Sequence, residues 1–137
     1  MFWGIMFAIE KNLHIAAPIE QVWAALTDPV MVDAWMLDDT IQLDVRLGGR
    51  YALFAGQTTG TFTHIEPPYV LEYTWRQPGW PPTNSLVRWE LKRGGAGTFV
   101  RLVHSQLPSK AERDSHEEGW DVYWLQPMVE WLEANTR

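Results

Sequence analysis

Residues 119–132 read Gly119-Trp120-Asp121-Val122-Tyr123-Trp124-Leu125-Gln126-Pro127-Met128-Val129-Glu130-Trp131-Leu132 and predict a terminal helix. The chain has nine tryptophans, and three of them lie in this stretch. At 100° per residue, an apolar stripe about 140° wide runs along the helix. It consists of Trp120, Tyr123, Trp124, Pro127, Met128 and Trp131. Because the rest of the chain is typical of strands, we expect the stripe to face a sheet, with a cavity between the two.

The back of the same helix is also apolar. A second stripe leaves a polar arc of only about 60°, and it consists of Val122, Leu125, Val129 and Leu132. We therefore expect a further surface to cover it, either the apolar N-terminal residues 1–6 or a second copy of the chain, and we predict a homodimer. Pro127 should bend or loosen the helix near its middle, since proline has no N–H and crowds the preceding turn.

Length, charge and cysteine content limit the function classes. The chain has 137 residues and a formal net charge of −6, so we expect one domain over residues 1–137, with residues 1–6 as an apolar extension. The acidic charge argues against nucleic-acid binding and against adhesion to anionic membranes. The absence of cysteine excludes disulfides, thiolate catalysis and cysteine-based zinc sites. No stretch resembles a signal peptide or approaches about 18 apolar residues, so the prediction is a cytoplasmic protein without membrane contact.

The segments before the terminal helix alternate between apolar and polar residues and are separated by short turns, which is typical of antiparallel strands. After a first strand over residues 7–16, Pro18 predicts the first turn of one short helix and Asp28-Pro29 the start of a second. Residues 108–115 are expected to be a polar linker. About six strands lie between, near residues 41–45, 50–55, 61–65, 70–77, 84–92 and 98–107. The predicted class is α+β, a curved antiparallel sheet of about six to seven strands around the terminal helix.

Tryptophan and tyrosine dominate the positions predicted to face that helix. A core of this size is usually built from Leu, Ile and Val, whereas Trp and Tyr bring N–H and O–H groups that need partners. Either these side chains fill the core completely, or they line a partly hydrated pocket for a flat apolar ligand, and we favour the pocket. The candidate lining residues are Trp35, Tyr51, Tyr73, Trp75, Trp89, His104, Trp120, Tyr123 and Trp124.

His104 is the titratable side chain with the clearest inward position, on the same strand face as Leu102. At a pocket mouth it would act as an acid or base, or bind a ligand. The alternative is a structural role, in which the ring bonds a backbone carbonyl or a Trp N–H. The sequence alone does not separate the two, because no partner carboxylate can be named.

Arg88 and Glu90 share one face of their strand, and Arg76 and Glu72 share one face of the preceding strand. We expect these side chains to form ion pairs between the strands on the solvent face. The functional alternative is an anion anchor at the cavity mouth, for which Arg50 is the best candidate. Other chemistry is not indicated. The four histidines lack metal-site spacing, and there is no cysteine, nucleophile elbow or phosphate-binding glycine loop. We therefore predict no metal, no cofactor and no covalent catalysis.

Several short motifs resemble one known superfamily in order and spacing. They are Ala17-Pro18-Ile19-Glu20-Gln21-Val22-Trp23, Leu26-Thr27-Asp28-Pro29, Trp35, Gly48-Gly49-Arg50-Tyr51, Ile65-Glu66-Pro67, Leu71-Glu72-Tyr73-Thr74-Trp75, Val87-Arg88-Trp89-Glu90-Leu91, Gly97-Thr98, His104-Ser105 and Gly119-Trp120. Over about residues 9–132 the chain is similar to the START/SRPBCC superfamily, and within it to the single-domain bacterial type of the family named for the activator of the heat-shock protein 90 ATPase. The resemblance implies a helix-grip fold with a hydrophobic cavity between sheet and helix.

That superfamily includes lipid carriers, hormone receptors and polyketide cyclases, so the fold leaves function open. We favour a module that binds a small hydrophobic or aromatic molecule, and an enzyme is the less favoured alternative. In that alternative, a cyclase or aromatase would use His104, Arg50 or Tyr51 for proton transfer. A third hypothesis is a stress-linked, chaperone-interacting module, which would need a filled core and an exposed apolar patch around Trp80.

Overall fold

The structure, a computed structural model, describes residues 7–81 and 85–136. Seven strands form one sheet, and the helices lie after the first strand and at the end of the chain. In chain order the elements are β1 (Ile9–Ile15), α1 (Ile19–Thr27), α2 (Pro29–Met36), β2 (Gln42–Leu43), β3 (Arg50–Leu53), β4 (Thr58–Glu66), β5 (Val70–Trp75), β6 (Ser85–Gly94), β7 (Gly97–Ser105), α3 (Lys110–Gly119), a π-helical turn (Trp120–Leu125) and α4 (Gln126–Asn135).

The sheet is antiparallel throughout, with the strand order β1-β7-β6-β5-β4-β3-β2. Strand alternation places Leu71, Tyr73 and Trp75 on the face towards the helices, where all three are buried. A bulge between Phe62 and His64 shifts the register of β4, and bulges of this kind bend a strand. The predicted α+β helix-grip architecture is confirmed.

The two short helices begin where the sequence predicts. The side chain of Asp28 accepts a hydrogen bond from the backbone N–H of Val30 at 2.9 Å, and Pro29 follows as the first helical residue. Pro18 lies one residue earlier than predicted, at the cap of α1 rather than inside it. α1 packs against β6, β7 and the terminal helix, and α2 packs against α1 and the terminal helix.

Residues 108–115 are not a linker. Most of them belong to α3, whose cap is Ser109, a side chain that accepts a hydrogen bond from Glu112 N at 3.1 Å. Ion pairs four residues apart stabilise its exposed side, with 2.7 Å between Lys110 Nζ and Asp114 Oδ2. The helix has no fully buried residue. The prediction was wrong because it relied on apolar periodicity, which this helix lacks, and overlooked the serine cap and the spacing of the charges.

Pro127 loosens the terminal helix as predicted. The N–H of Gln126 bonds to the carbonyl of Asp121, five residues back, so the chain makes one wide π-helical turn immediately before the proline. The wide turn changes which side chains face the sheet. Trp120 and Trp124 are buried, whereas Tyr123, expected on the same stripe, is 70% exposed.

The second apolar stripe is partly covered by the chain itself. Leu125 and Leu132 are buried, Val129 is half-buried, and Val122 is 45% exposed. The proposed cover from residues 1–6 lies outside the described part of the chain.

Trp80 is buried rather than exposed, at 7% of its surface. Its Nε1 donates a hydrogen bond to Glu112 Oε2 at 3.1 Å, and its carbonyl accepts from Arg76 at 3.0 Å. A loop rich in proline and glycine gave no sign of this long-range contact. The expected apolar surface patch around Trp80 is therefore not found among the described residues.

Gly60 lies inside β4 and not in a turn. A Cβ at this position would lie 1.9 Å from the carbonyl oxygen of Thr74 and 2.6 Å from the ring of Tyr51. Glycine is required here because two strands and a tyrosine ring meet at one point.

On the outer face, ion pairs confirm one part of the charge prediction. Arg88 contacts Glu72 at 3.2 Å and Glu90 at 2.8 Å. Arg101 extends the row from Glu90 to Glu10, at 3.0 Å on each side. Arg76 is the exception, because it binds the Trp80 carbonyl.

Among the described residues, none of the helices is both long enough and apolar enough to cross a membrane.

Candidate functional site

A cleft of about 380 Å³ opens between the end of β5, the β3–β4 turn, α3 and the π-helical turn. Aromatic rings form its inner wall, and both polar and apolar side chains surround its opening. The lining residues are Phe54, Trp75, Gln77, Glu112, Ser115, His116, Gly119, Trp120, Tyr123 and Trp124.

Three indoles form the inner wall. The ring of Trp120 lies 4.9 Å from that of Trp124 and 5.1 Å from that of Trp75, at tilted angles. Behind them the fully buried Trp89 packs edge-on against Trp120 at 5.8 Å. Contacts in this distance range are favourable for aromatic pairs and hold each ring in one orientation. The wall is therefore rigid, and each of its three indoles exposes only a small part of its apolar surface, 3–6% of the residue.

A chain of hydrogen bonds behind the wall fixes the tautomer of His104. Trp120 Nε1 donates to His104 Nδ1 at 3.0 Å, so that nitrogen carries no proton. Ser85 Oγ donates its only proton to the Trp75 carbonyl at 2.6 Å, and must therefore accept from His104 Nε2 at 2.8 Å. His104 is thus a neutral imidazole with both nitrogens occupied.

Burial holds the pKa of His104 well below its ordinary value, and electrostatic repulsion between the His104 and His116 rings when both are protonated acts in the same direction. The side chain is fully buried and lies outside the lining of the cleft. Its environment matches the structural alternative, in which the ring bonds a Trp N–H.

A second tryptophan–histidine pair lies at the cleft surface. Trp75 Nε1 donates to His116 Nε2 at 3.2 Å, so the ring proton is on Nδ1, which donates to the Glu112 carbonyl at 2.8 Å. The Glu112 carboxylate is 3.7 Å from the same nitrogen through Oε1, while its Oε2 is held by Trp80. Glu112, His116 and Tyr123 are the titratable residues that line the cleft.

The indole N–H of Trp124 has no hydrogen-bond partner within the described residues, although only 6% of the residue is exposed. Leaving a buried donor unpaired costs about 1–3 kcal/mol. The other two tryptophans of the wall have partners, since Trp75 donates to His116 and Trp120 to His104. Trp89 behind the wall donates to Tyr73. The Trp124 ring lines both the cleft and a small inner cavity, and its Nε1 atom is itself buried.

The rim of the cleft includes an unfavourable turn. Phe54 and Ala55, both non-glycine, have positive φ values of 54° and 56°, and Gly56 follows at 82°. Two bonds from the preceding loop hold the turn in place, from Phe54 N to Asp38 Oδ2 at 2.6 Å and from Ala55 N to Thr40 Oγ1 at 2.8 Å. Unfavourable backbone at a cleft rim is a feature of functional sites.

Of the ten residues predicted from sequence for the cavity, the cleft brings together four, namely Trp75, Trp120, Tyr123 and Trp124. Three others are fixed in the core by their own hydrogen bonds: Trp35 to the Ala25 carbonyl at 2.8 Å, Trp89 to Tyr73 at 2.9 Å and Tyr51 to the Thr74 carbonyl at 2.5 Å. Tyr73 lies in the core as well, because its hydroxyl accepts the hydrogen bond from Trp89. His104 lies behind the indole wall.

Burial also raises the pKa of Tyr51 and of Tyr73 well above their ordinary values, so both hydroxyls stay protonated. Between these rings and Trp124 lies only a small cavity of about 20 Å³. Here the aromatic side chains fill the core.

Arg50 lies on the opposite face of the sheet from the cleft. It is exposed and shares an outer groove of about 480 Å³ with Thr61 and Arg76. Strand alternation explains this, because Tyr51 next to it points inward.

The residues that the sequence analysis missed come largely from α3. Glu112, Ser115, His116 and Gly119 line the cleft, and all lie in or next to the segment predicted to be a linker. The Ser109 cap with Glu112 three residues later is the signal that would have indicated a helix there. Phe54 was missed because nothing local indicates a left-handed phenylalanine. No cluster of three or more possible metal ligands occurs within residues 7–81 and 85–136.

The antiparallel sheet, the helix lying against it and the cleft between them define a helix-grip protein of the START/SRPBCC type. Residues 16–133 match the family described as Activator of Hsp90 ATPase homolog 1-like protein, and the chain belongs to that family. An uncharacterized protein of Schizosaccharomyces pombe is 27% identical over 121 residues, which is 88% of this chain. The chain spans only 35% of the length of that relative.

Solved structures share the fold over most of the chain. CalU16 from Micromonospora echinospora is 28% identical with a TM-score of 0.79, covering 93% of this chain and 76% of its own. An HSP90 activator from Plasmodium falciparum is 22% identical with a TM-score of 0.78, covering 93% and 94%. The Aha1 dimer from Colwellia psychrerythraea is 21% identical with a TM-score of 0.79, covering 92% and 96%.

Proposed function

We propose that this protein binds a small hydrophobic or aromatic molecule in the cleft between the sheet and the terminal helix. The observation that carries the proposal is a cleft of about 380 Å³ lined by five aromatic side chains, of which Tyr123 at the rim is 70% exposed.

The shape and size of the cleft support the same function. Its volume is within the usual range of about 300–1,000 Å³ for small-molecule sites. The wall of Trp75, Trp120 and Trp124 is held rigid by its ring contacts, so little entropy is lost when a ligand packs against the part of it that lines the cleft.

Native mass spectrometry of the protein purified from its own host tests the proposal. We expect a co-purified small molecule on the wild-type protein and its loss in Ser115→Trp, because that side chain would fill the cleft. Ala111→Trp is the matched control, since Ala111 is exposed on the same helix outside the cleft lining. A bare wild-type protein, or a bound molecule that persists in Ser115→Trp, would contradict ligand binding in this cleft.

One observation favours an enzyme as the second candidate. Glu112 and His116 line the same cleft, 3.7 Å apart between Oε1 and Nδ1, so a bound substrate would meet a carboxylate and an imidazole. This pair, and not His104 or Tyr51, would carry the proton transfer of a cyclase-like reaction. Glu112→Gln should then abolish turnover of the co-purified molecule, whereas Glu118→Gln, at an exposed position of α3 outside the cleft lining, should not. Binding without any turnover by the wild type excludes the enzyme.

We also propose association into a homodimer through the terminal helix. Val122 is 45% exposed, and Leu13, Leu125 and Val129 line an outer groove beside the edge strand β1. Aha1 from Colwellia psychrerythraea, which shares the fold, was solved as a dimer, and this supports association as such.

Sedimentation velocity tests association. Val122→Glu should lower the dimer fraction, whereas Ala134→Glu, which adds the same charge at the exposed end of the helix, should not. A wild-type protein that stays monomeric at high concentration would rule out the dimer.

A further inference from the structure

We propose that the ligand of the cleft is an organic cation, such as a substituted ammonium with methyl or aryl groups; this inference rests on the proposed function. Five aromatic side chains line the cleft together with one carboxylate, while none of the lining residues is lysine or arginine. This combination of π-faces and a carboxylate favours a cation over a neutral molecule and disfavours an anion.

The aromatic rings supply the first part of the recognition. The face of an indole carries partial negative charge and attracts ammonium groups, with tryptophan the strongest of the three aromatic residues. Trp75, Trp120 and Trp124 form the wall, and Phe54 and Tyr123 lie at the rim. At 70% exposure, Tyr123 has an open ring face that a ligand can cover. Methylated ammonium groups suit such a site because they are weakly hydrated and bury apolar surface.

Glu112 supplies the charge. Its Oε2 is held by the Trp80 N–H at 3.1 Å, which fixes the orientation of the carboxylate. Its Oε1 accepts no hydrogen bond from the described residues, and the nearest imidazole N–H, on His116 Nδ1, is used on the Glu112 carbonyl instead. One carboxylate oxygen at the cleft is therefore available to an incoming cation.

The positive charges nearby are already engaged. His116 is a neutral imidazole in this hydrogen-bond pattern, because its Nε2 accepts from Trp75. Arg113 on the same helix pairs with Asp114 and Glu117, and Arg76 binds the Trp80 carbonyl. With a formal net charge of −6, the whole chain also attracts cations rather than anions over longer distances.

A matched pair of probes tests the inference: benzyltrimethylammonium and neopentylbenzene, its neutral isostere. Binding of each is followed by tryptophan fluorescence. We expect the cation to bind at least about tenfold more tightly, since both probes bury similar apolar surface and only one interacts with the π-faces and the carboxylate as a charge.

Glu112→Gln should weaken binding of the cation about tenfold and leave the neutral probe unchanged. Glu118→Gln is the control, because it removes the same charge from an exposed position of α3 outside the cleft lining. Equal binding of both probes, or equal effects of the two variants, would overturn the cationic ligand while leaving ligand binding in the cleft intact. Failure of both probes to bind would also overturn the cationic ligand. Native mass spectrometry then tests the proposed function independently.

Discussion

Trp120 Nε1 donates a hydrogen bond to His104 Nδ1 across 3.0 Å, and so joins the terminal helix to strand β7 inside the core. The bond requires His104 to be neutral at that nitrogen, because a protonated Nδ1 would turn two donors towards each other. The contact between helix and sheet therefore depends on the protonation state of one buried side chain.

The free energy of unfolding should fall as the pH is lowered below about 6.5, the ordinary pKa of histidine. Burial holds the pKa of His104 well below that value in the folded protein, so the unfolded chain takes up a proton that the folded chain does not. Stability from this group is complete above the unfolded pKa and decreases below it by up to about 1.4 kcal/mol per pH unit. Urea unfolding between pH 5 and pH 8 measures the slope.

His104→Gln should flatten that slope even though it lowers stability at every pH. His64→Gln is the control, because His64 is exposed on β4 and should leave the slope as in the wild type. If His104→Gln keeps the full wild-type slope, His104 is not the group responsible.

Trp120→Phe and Trp124→Phe should lower the free energy of unfolding by different amounts, although both variants remove the same atoms. Each creates a similar cavity, but only Trp120→Phe leaves the buried His104 Nδ1 without a donor. We expect Trp120→Phe to cost about 1–3 kcal/mol more in the free energy of unfolding. Trp124→Phe removes a donor that has no partner in the described structure. Equal losses in urea unfolding would contradict the assigned hydrogen bonds.

Ala55→Gly should raise the free energy of unfolding by about 1 kcal/mol. A left-handed conformation costs a non-glycine residue about 1–2 kcal/mol, and the flexibility of glycine in the unfolded chain offsets part of the gain. Ala52→Gly, in the adjoining strand β3, should lower stability instead. A loss of stability in Ala55→Gly would show that the turn is not left-handed at this residue.

Gly60→Ala and Gly119→Ala should have opposite effects on the melting temperature. The first places a Cβ 1.9 Å from the Thr74 carbonyl oxygen, and we expect a loss of about 3 kcal/mol. The second places a Cβ in a helix, with only the Tyr123 ring at 3.9 Å, and should gain up to about 1 kcal/mol from helix propensity. Stability unchanged in Gly60→Ala would refute the close approach of the strands.

The fold was predictable because its signals are local and repeated. Alternation along β5 and β7, the Asp28-Pro29 helix start and the loosening at Pro127 all follow from residues near one another in sequence. The helix-grip architecture and the family are confirmed.

The site was less predictable because strand parity shows which side chains face inward but not which of them a cleft reaches. Trp89 and Trp75 share one face of the sheet, yet only Trp75 lines the cleft. The decisive neighbours, Glu112 and His116, lie on a helix without an apolar side. The burial of Trp80 depends on Glu112, 32 residues further along the chain. Whether the protein contacts a chaperone stays a prediction.

The π-helical turn divides the C-terminal helical segment into α3 and α4, which differ in how well their amides are protected from exchange with solvent. Beyond it, α4 anchors Met128 and Leu132 in the core, whereas α3 before it has no fully buried residue. Local opening of α3 thus exposes little apolar surface and should occur far more often than global unfolding. Amide protons of α3 should exchange with deuterium faster than those of α4. The α3 side of the cleft then opens locally while the indole wall stays in place. A bulky ligand can enter by this route without any change in the sheet.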